Sequence, residues 1–194
     1  MRTYTIIGGV NGVGKSSFTG ILKEQRSDLG ILIDVVKITA ELGGNTLAGD
    51  KAALKKIRDC IDRGISFTQE TTLSGRHTEA TARELVEKGY RVRLYYIGLD
   101  SAEESVSRIA NRVKRGGHDI PAQDVERRFA SRWEAVTKVL PYCEEAEFYD
   151  NDNGFALVAE YRNGELRTVG SVVPGWLQEL REYLKNSNQN NEAW

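Results

Sequence analysis

Apolar positions fall into two rhythms that alternate along the chain. Residues 4–7 are a short continuous apolar run, as a buried strand shows, and beyond the glycines that follow, Phe18, Ile21 and Leu22 recur at helical spacing. Residues 30–36 are again almost continuously apolar, which predicts a buried parallel strand. Over 50–63, Ala53, Leu54, Ile57 and Ile61 share one side and lysines and arginines take the other, an amphipathic helix that Gly64 stops. A third strand is predicted over 65–70, a helix over 76–88 ending at Gly89, and a fourth strand over 91–97 with Val92, Leu94 and Tyr96 facing one way. Ser101 and Glu104 have capping-box spacing and open another helix. A long helix over 122–140 carries Val125, Phe129, Trp133, Val136 and Leu140 as its stripe. A short strand at 147–149 follows, then two runs, 155–161 and 165–169, around an Asn163-Gly164 pair that predicts a hairpin. Pro174 starts a last helix over 176–184, and the polar tail 186–194 is expected to be disordered.

Strand–helix alternation through residue 150 predicts an α/β fold in a single domain over 1–194. It has three layers: a central, mostly parallel five-stranded sheet with helices on both faces, and a C-terminal β-hairpin and helix over 155–185. Ligands of such sheets bind beyond the C-terminal ends of the strands. That rule picks out the segment after the first strand and residues 34–37, 70–74 and 98–100.

The segment after the first strand spells out its chemistry. Gly9, four residues, Gly14, Lys15 and Ser16 match the phosphate-binding loop G-x-x-x-x-G-K-[ST] in full, between a strand and a helix as the motif requires. Glycines let the backbone curl with its N–H groups inward, and the helix behind adds its positive end. Gly9, Val10, Asn11, Gly12, Val13, Gly14, Lys15, Ser16 and Ser17 are therefore the expected nucleoside-triphosphate contacts. Lys15 bridges the outer phosphates, and the Ser16 hydroxyl is a hard ligand for Mg²⁺. The loop makes this a P-loop NTPase without saying what becomes of the phosphate.

Composition narrows the field. With 40% hydrophobic and 28% charged residues the chain suits a folded core, and a net charge of −1 gives no electrostatic reason to expect nucleic acid or a membrane as partner. Cys60 and Cys143 lack metal or redox spacing. No apolar run reaches the length of a membrane span, and the N-terminus does not read as a signal peptide, so the protein is expected to be cytoplasmic.

Phosphoryl transfer needs an acceptor hydroxyl, a carboxylate and mobile cations. Asp34, at the end of the second strand, is either that base or a turn residue. Glu70, Thr71 and Thr72 either bind a polyhydroxylated substrate or cap a helix. Arg112, Lys114 and Arg115 beside Gly116 and Gly117 read as a lid over 111–121, or as a solvated helix face; Arg127 and Arg128 add to the former. His118, a lone histidine beside glycines, reads as structural. A GTPase-type switch is disfavoured, because no Asn-Lys-x-Asp segment is present.

Together these motifs resemble the zeta toxin family of P-loop kinases. The match rests on the loop 9–16, Ile-Asp-Val-Val-Lys-Ile over 33–38, Glu-Thr-Thr-Leu-Ser-Gly over 70–75, the run Arg-x-x-x-Arg-x-x-x-Gly-Gly-His-x-Ile-Pro over 108–121, and Tyr-Asp-Asn-x-x-Gly over 149–154. The resemblance implies a fold like that of nucleoside and shikimate-type kinases, with ATP and Mg²⁺ as cofactors. It implies γ-phosphoryl transfer to a sugar hydroxyl, UDP-N-acetylglucosamine being the acceptor of the family's toxins, and a small helical antitoxin as partner. By the same resemblance Lys15 and Ser16 take the ATP and Mg²⁺ roles, Glu70 and Thr72 bind substrate, and Arg112 and Arg115 fall in the lid. One position departs. The family's second strand ends in Asn-x-Asp or Asp-x-Asp, and here Asp34 fills the first place while Val36 stands where the second acid belongs. On a strand the two would share a face, about 6–7 Å apart. Three readings follow: Asp34 serves as base through a water or a shifted substrate, transfer proceeds by positioning alone, or the protein binds ATP as a catalytically impaired relative acting through conformational change or a partner.

Overall fold

The computed structural model describes residues 1–117, 119–152 and 154–191, the side chains of 188–191 excepted. The strands are β1 (Thr3–Gly8), β2 (Ile31–Asp34), β3 (Phe67–Thr71), β4 (Arg91–Gly98), β5 (Glu145–Asp150), β6 (Ala156–Arg162) and β7 (Glu165–Thr168). The helices are α1 (Lys15–Gln25), α2 (Val35–Glu41), α3 (Thr46–Asp62), α4 (His77–Glu87), α5 (Ala102–Lys114), α6 (Ala122–Ala130), α7 (Arg132–Val139) and α8 (Gly175–Asn191).

All seven strands form one sheet in the order β2-β3-β1-β4-β5-β6-β7. The pairings from β2 to β5 are parallel, as the continuous apolar runs predict, and the hairpin adds β6 antiparallel to β5 and β7 antiparallel to β6. The expected five-stranded parallel core is thus present, and the hairpin lengthens the sheet to seven strands. Asn163 at φ 52° and Gly164 at φ 83° make the tight turn, both central residues being left-handed as such hairpins require.

Alternate residues of the strands feed two cores. On one face Tyr4, Ile6, Val92, Leu94 and Tyr96 pack with residues of α3, α4, α7 and α8. On the other, Ile7, Tyr95 and Ile97 pack with Phe18 and Leu22 of α1. Trp176 of α8 is fully buried, with its ring over Gly98 and its indole N–H donated to Asp150 Oδ1 at 2.9 Å. Asp100, just past β4, accepts the Trp176 backbone N–H at 2.8 Å and so caps the first turn of α8.

Four boundaries differ from the sequence reading. The second strand stops at Asp34, and Val35 already belongs to α2, because the Asp34 carboxylate accepts the Lys37 N–H at 3.1 Å as a helix N-cap. Residues 111–114 are the last turn of α5, so the expected lid segment leaves helical structure only at Arg115. The predicted 122–140 helix is broken at Ser131, whose hydroxyl bonds back to Arg127 O at 3.1 Å and competes with the helical ladder. Residues 186–191, expected as a disordered tail, continue α8, where Ser187 Oγ bonds to Tyr183 O at 2.9 Å; once a helix is nucleated, each added turn costs little. Residues 192–194 lie outside the described residues. Among those described, no helix is long and apolar enough to cross a membrane.

Because a Cβ at residue 98 would lie 2.2 Å from the Trp176 ring, Gly98→Ala is expected to destabilise the fold by about 1–3 kcal/mol. In a Trp176→Ala background the same substitution should cost clearly less, since the ring it strikes is gone. Urea midpoints of the four proteins measure both effects.

Candidate active site

The phosphate loop leaves β1 between its two parallel neighbours, β3 and β4. Two of its apolar residues anchor it: Val10 is 2% exposed and Val13 is fully buried in the core beneath α1. Its path demands glycine at the ends. Gly9 lies at φ 147°, where a Cβ would come within 2.6 Å of Ile97 O, and Gly14, at φ 96°, would meet Asn151 Nδ2 at 2.8 Å. Neighbouring elements brace the loop. Asn151 Nδ2 donates to Val13 O at 2.8 Å, Ser105 Oγ of α5 donates to Asn11 O, and Arg128 Nη1 of α6 donates to Asn11 Oδ1 at 3.0 Å.

Lys15 opens α1, and its ammonium turns back into the loop, donating to Gly9 O at 2.9 Å and Val10 O at 3.0 Å. Burial pushes this amine down to about 8, with Glu70 and Asp34 opposing the shift and Arg112 and Arg128 adding to it. The amine thus lies in the field of two carboxylates, on β3 and β2, and of two guanidinium groups, on α5 and α6.

Asp34 and Glu70 are direct partners in the β2–β3 register, and Ile7 of β1 lies opposite Glu70, so Glu70 is one strand and Asp34 two strands from the strand that feeds the loop. Glu70 is 6% exposed, and its carboxylate is turned to α1. Ser16 Oγ donates to Glu70 Oε2 at 2.8 Å, and Thr19 Oγ1 lies 2.6 Å from Oε1. Both oxygens of Glu70 are thus engaged on the phosphate-loop side, whereas the sequence placed this residue toward a substrate. The Ser16 hydroxyl with that carboxylate behind it is a hard-oxygen donor set. Half-buried Asp34 uses one oxygen to cap α2.

Val36 is 43% exposed on the first turn of α2. The shared strand face expected for 34 and 36 is absent, because the strand ends at Asp34, two residues short of Val36. Thr71 Oγ1 accepts the Leu73 N–H at 3.0 Å, and the Thr72 and Ser74 hydroxyls lie 2.7 Å apart across Leu73, which holds a left-handed φ of 61°. Of the cations expected in a lid, Arg112 reaches the field of Lys15. Arg115, the C-cap of α5, is exposed, and Arg127 pairs with Asp124 at 2.7 Å. Arg128, secondary in the sequence reading, is the residue bonded to the loop. Ser17 is exposed on the first turn of α1, and His118 lies outside the described residues.

Residues 51–155 match the family model for zeta toxin, a span from α3 to the residue before β6 that leaves the phosphate loop outside it. An uncharacterized protein of Haemophilus influenzae is 33% identical over 126 residues, which cover 62% of this chain and 88% of that protein. The PezAT chromosomal toxin–antitoxin system of Streptococcus pneumoniae contains a chain of similar fold, with a TM-score of 0.60 at 16% identity over 98% of this chain and 87% of that one. A chain of the AvrRxo1-ORF1:-ORF2 complex with ATP gives a TM-score of 0.60 at 14% identity, covering 96% of this chain and 76% of that one. A putative kinase from Chloroflexus aurantiacus gives 0.52 at 15% identity, covering 68% and 77%. These structural likenesses concern the fold, which is that of P-loop kinases. The sequence match, by contrast, takes in more than half of the 194 residues, and on that ground the chain belongs to the zeta toxin family.

Proposed function

We propose that this protein is an ATP-dependent small-molecule kinase of the cytoplasm. It transfers the γ-phosphoryl group to a hydroxyl of a nucleotide sugar, with UDP-N-acetylglucosamine as the acceptor to try first. The Arg128 guanidinium bonded to the phosphate loop at Asn11, beside a Lys15 ammonium turned into that loop, carries this reading, and Arg112 adds a second guanidinium in the field of Lys15. Simple triphosphate binding needs the loop and its lysine; two further guanidinium groups suit the charge that develops on a phosphoryl group in flight.

In this reading the loop amides hold the phosphates, and Lys15 exchanges its bonds to Gly9 O and Val10 O for bonds to phosphate oxygens. Ser16, backed by Glu70, fits Mg²⁺, which neutralises phosphate charge when bound with the nucleotide. The acceptor oxygen forms its bond to the γ-phosphorus while the bond from the γ-phosphorus to the bridging oxygen breaks and ADP leaves. Asp34, whose second oxygen is not taken by the α2 cap, accepts the hydroxyl proton. Thr71 at the end of β3, with Thr72 and Ser74 just beyond it, offers hydroxyls to the acceptor in this reading. Arg112 and Arg128 stabilise the transferring group, and Arg115, the C-cap of α5, joins them in this reading. A small antitoxin is proposed as partner, in keeping with family membership and with the toxin–antitoxin relative; co-purification with the product of a neighbouring small gene tests it.

The purified protein should move the γ-phosphate of ATP to UDP-N-acetylglucosamine. Transfer only to another hydroxylated metabolite would overturn the acceptor and keep the enzyme class. Asp34→Asn should lower kcat about 10²–10⁴-fold with ATP affinity unchanged. Val36→Asp should leave turnover within about twofold, because that side chain stands off the site on α2; a large rise would instead identify the wild-type protein as an impaired kinase.

Separately, Glu70→Gln should raise the Mg²⁺ concentration for half-maximal rate about tenfold, as loss of a group that orients a metal ligand does. A Mg²⁺ titration of the two proteins decides it.

A further inference from the structure

We propose that Asn11 is a positioning residue whose side-chain amide holds the Arg128 guanidinium at the phosphate loop. This inference rests on the kinase reading for its consequence and on the geometry alone for its premise. The phosphate-binding chemistry of the loop uses backbone N–H groups and Lys15, and asks nothing of the side chain at residue 11. Val10 and Val13 serve the core, but Asn11 is polar and only 6% exposed, so its amide needs another reason to be there. The reason on view is Arg128, which donates from Nη1 to Asn11 Oδ1 at 3.0 Å across 117 residues. Ser105 Oγ fixes the same residue from the other side by donating to its backbone carbonyl. Asn11 thereby ties α5 and α6 to one point of the loop.

The chemistry of the tether suits the task. A carboxylate at this place would neutralise Arg128 and repel phosphate. A neutral amide oxygen orients the guanidinium and leaves its full charge for the phosphoryl group. Arg128 also needs orienting: α6 is reached through residues 115–121, which carry no helix or strand among the described residues, and its first turn has no side-chain cap. Val125, 1% exposed, anchors the helix body, but the arginine tip is fixed by the bond to Asn11.

A double-mutant cycle tests the pairing in the full-length protein. Asn11→Ala should lower kcat about tenfold, leave KM for ATP within about twofold, and add almost nothing in an Arg128→Ala background. A second readout does not depend on turnover. Phenylglyoxal labelling mapped by peptide mass spectrometry should show Arg128 reacting several-fold faster in Asn11→Ala, with exposed Arg127 as internal reference. Asn11→Ala with unchanged Arg128 labelling, or with a full additive loss of kcat beside Arg128→Ala, overturns the proposal. If the wild-type protein transfers no phosphoryl group, the kinase reading fails, and the labelling still decides whether Asn11 holds Arg128.

Discussion

A carboxylate cannot be buried without company, and that requirement organises this site. Glu70 is 6% exposed near the end of β3, where a carboxylate without hydrogen-bond partners would carry a heavy desolvation cost. Instead it takes hydrogen bonds from Ser16 and Thr19, one turn apart on α1, and lies in the field of Lys15. The contact joins the sheet to the first helix at the point where phosphate is to bind. It also sets the direction of the Ser16 hydroxyl, the ligand the motif reserves for a metal. Break it, and the head of α1 loses the group that orients it.

The phosphate loop itself was plain in the sequence, because its chemistry is local: glycines for the backbone path, a lysine, a hydroxyl. The strands, most helices and the hairpin turn were also legible, since each rests on periodicity or on a residue pair such as Asn163-Gly164. The place of Glu70 was not. It depends on β3 lying beside β1, with Ile7 opposite Glu70, and lateral strand order leaves no mark on the run of residues. Arg128 was underrated for the same reason, since its partner lies 117 positions away.

Local chemistry also explains the misreading around Val36. Ile31 to Val36 is apolar apart from Asp34, and an apolar run says nothing about where a strand ends. The aspartate decides it by capping a helix, which turns Val36 outward to 43% exposure. The hydroxyl of Ser131 does similar work between α6 and α7. In both cases one short polar side chain competing for backbone groups outweighed a longer hydrophobic pattern.

The braces on the phosphate loop have a consequence for how the protein comes into being. Val13 is held by Asn151 across 138 residues, and Asn11 by Arg128 across 117. During synthesis the loop emerges early, while the groups that hold it emerge late. Contacts of such long range close slowly and only after the chain between them has collapsed. A nascent chain therefore carries the complete phosphate-binding motif long before it carries a braced site. The loop takes on its full set of braces only when the segment around Asn151 has docked.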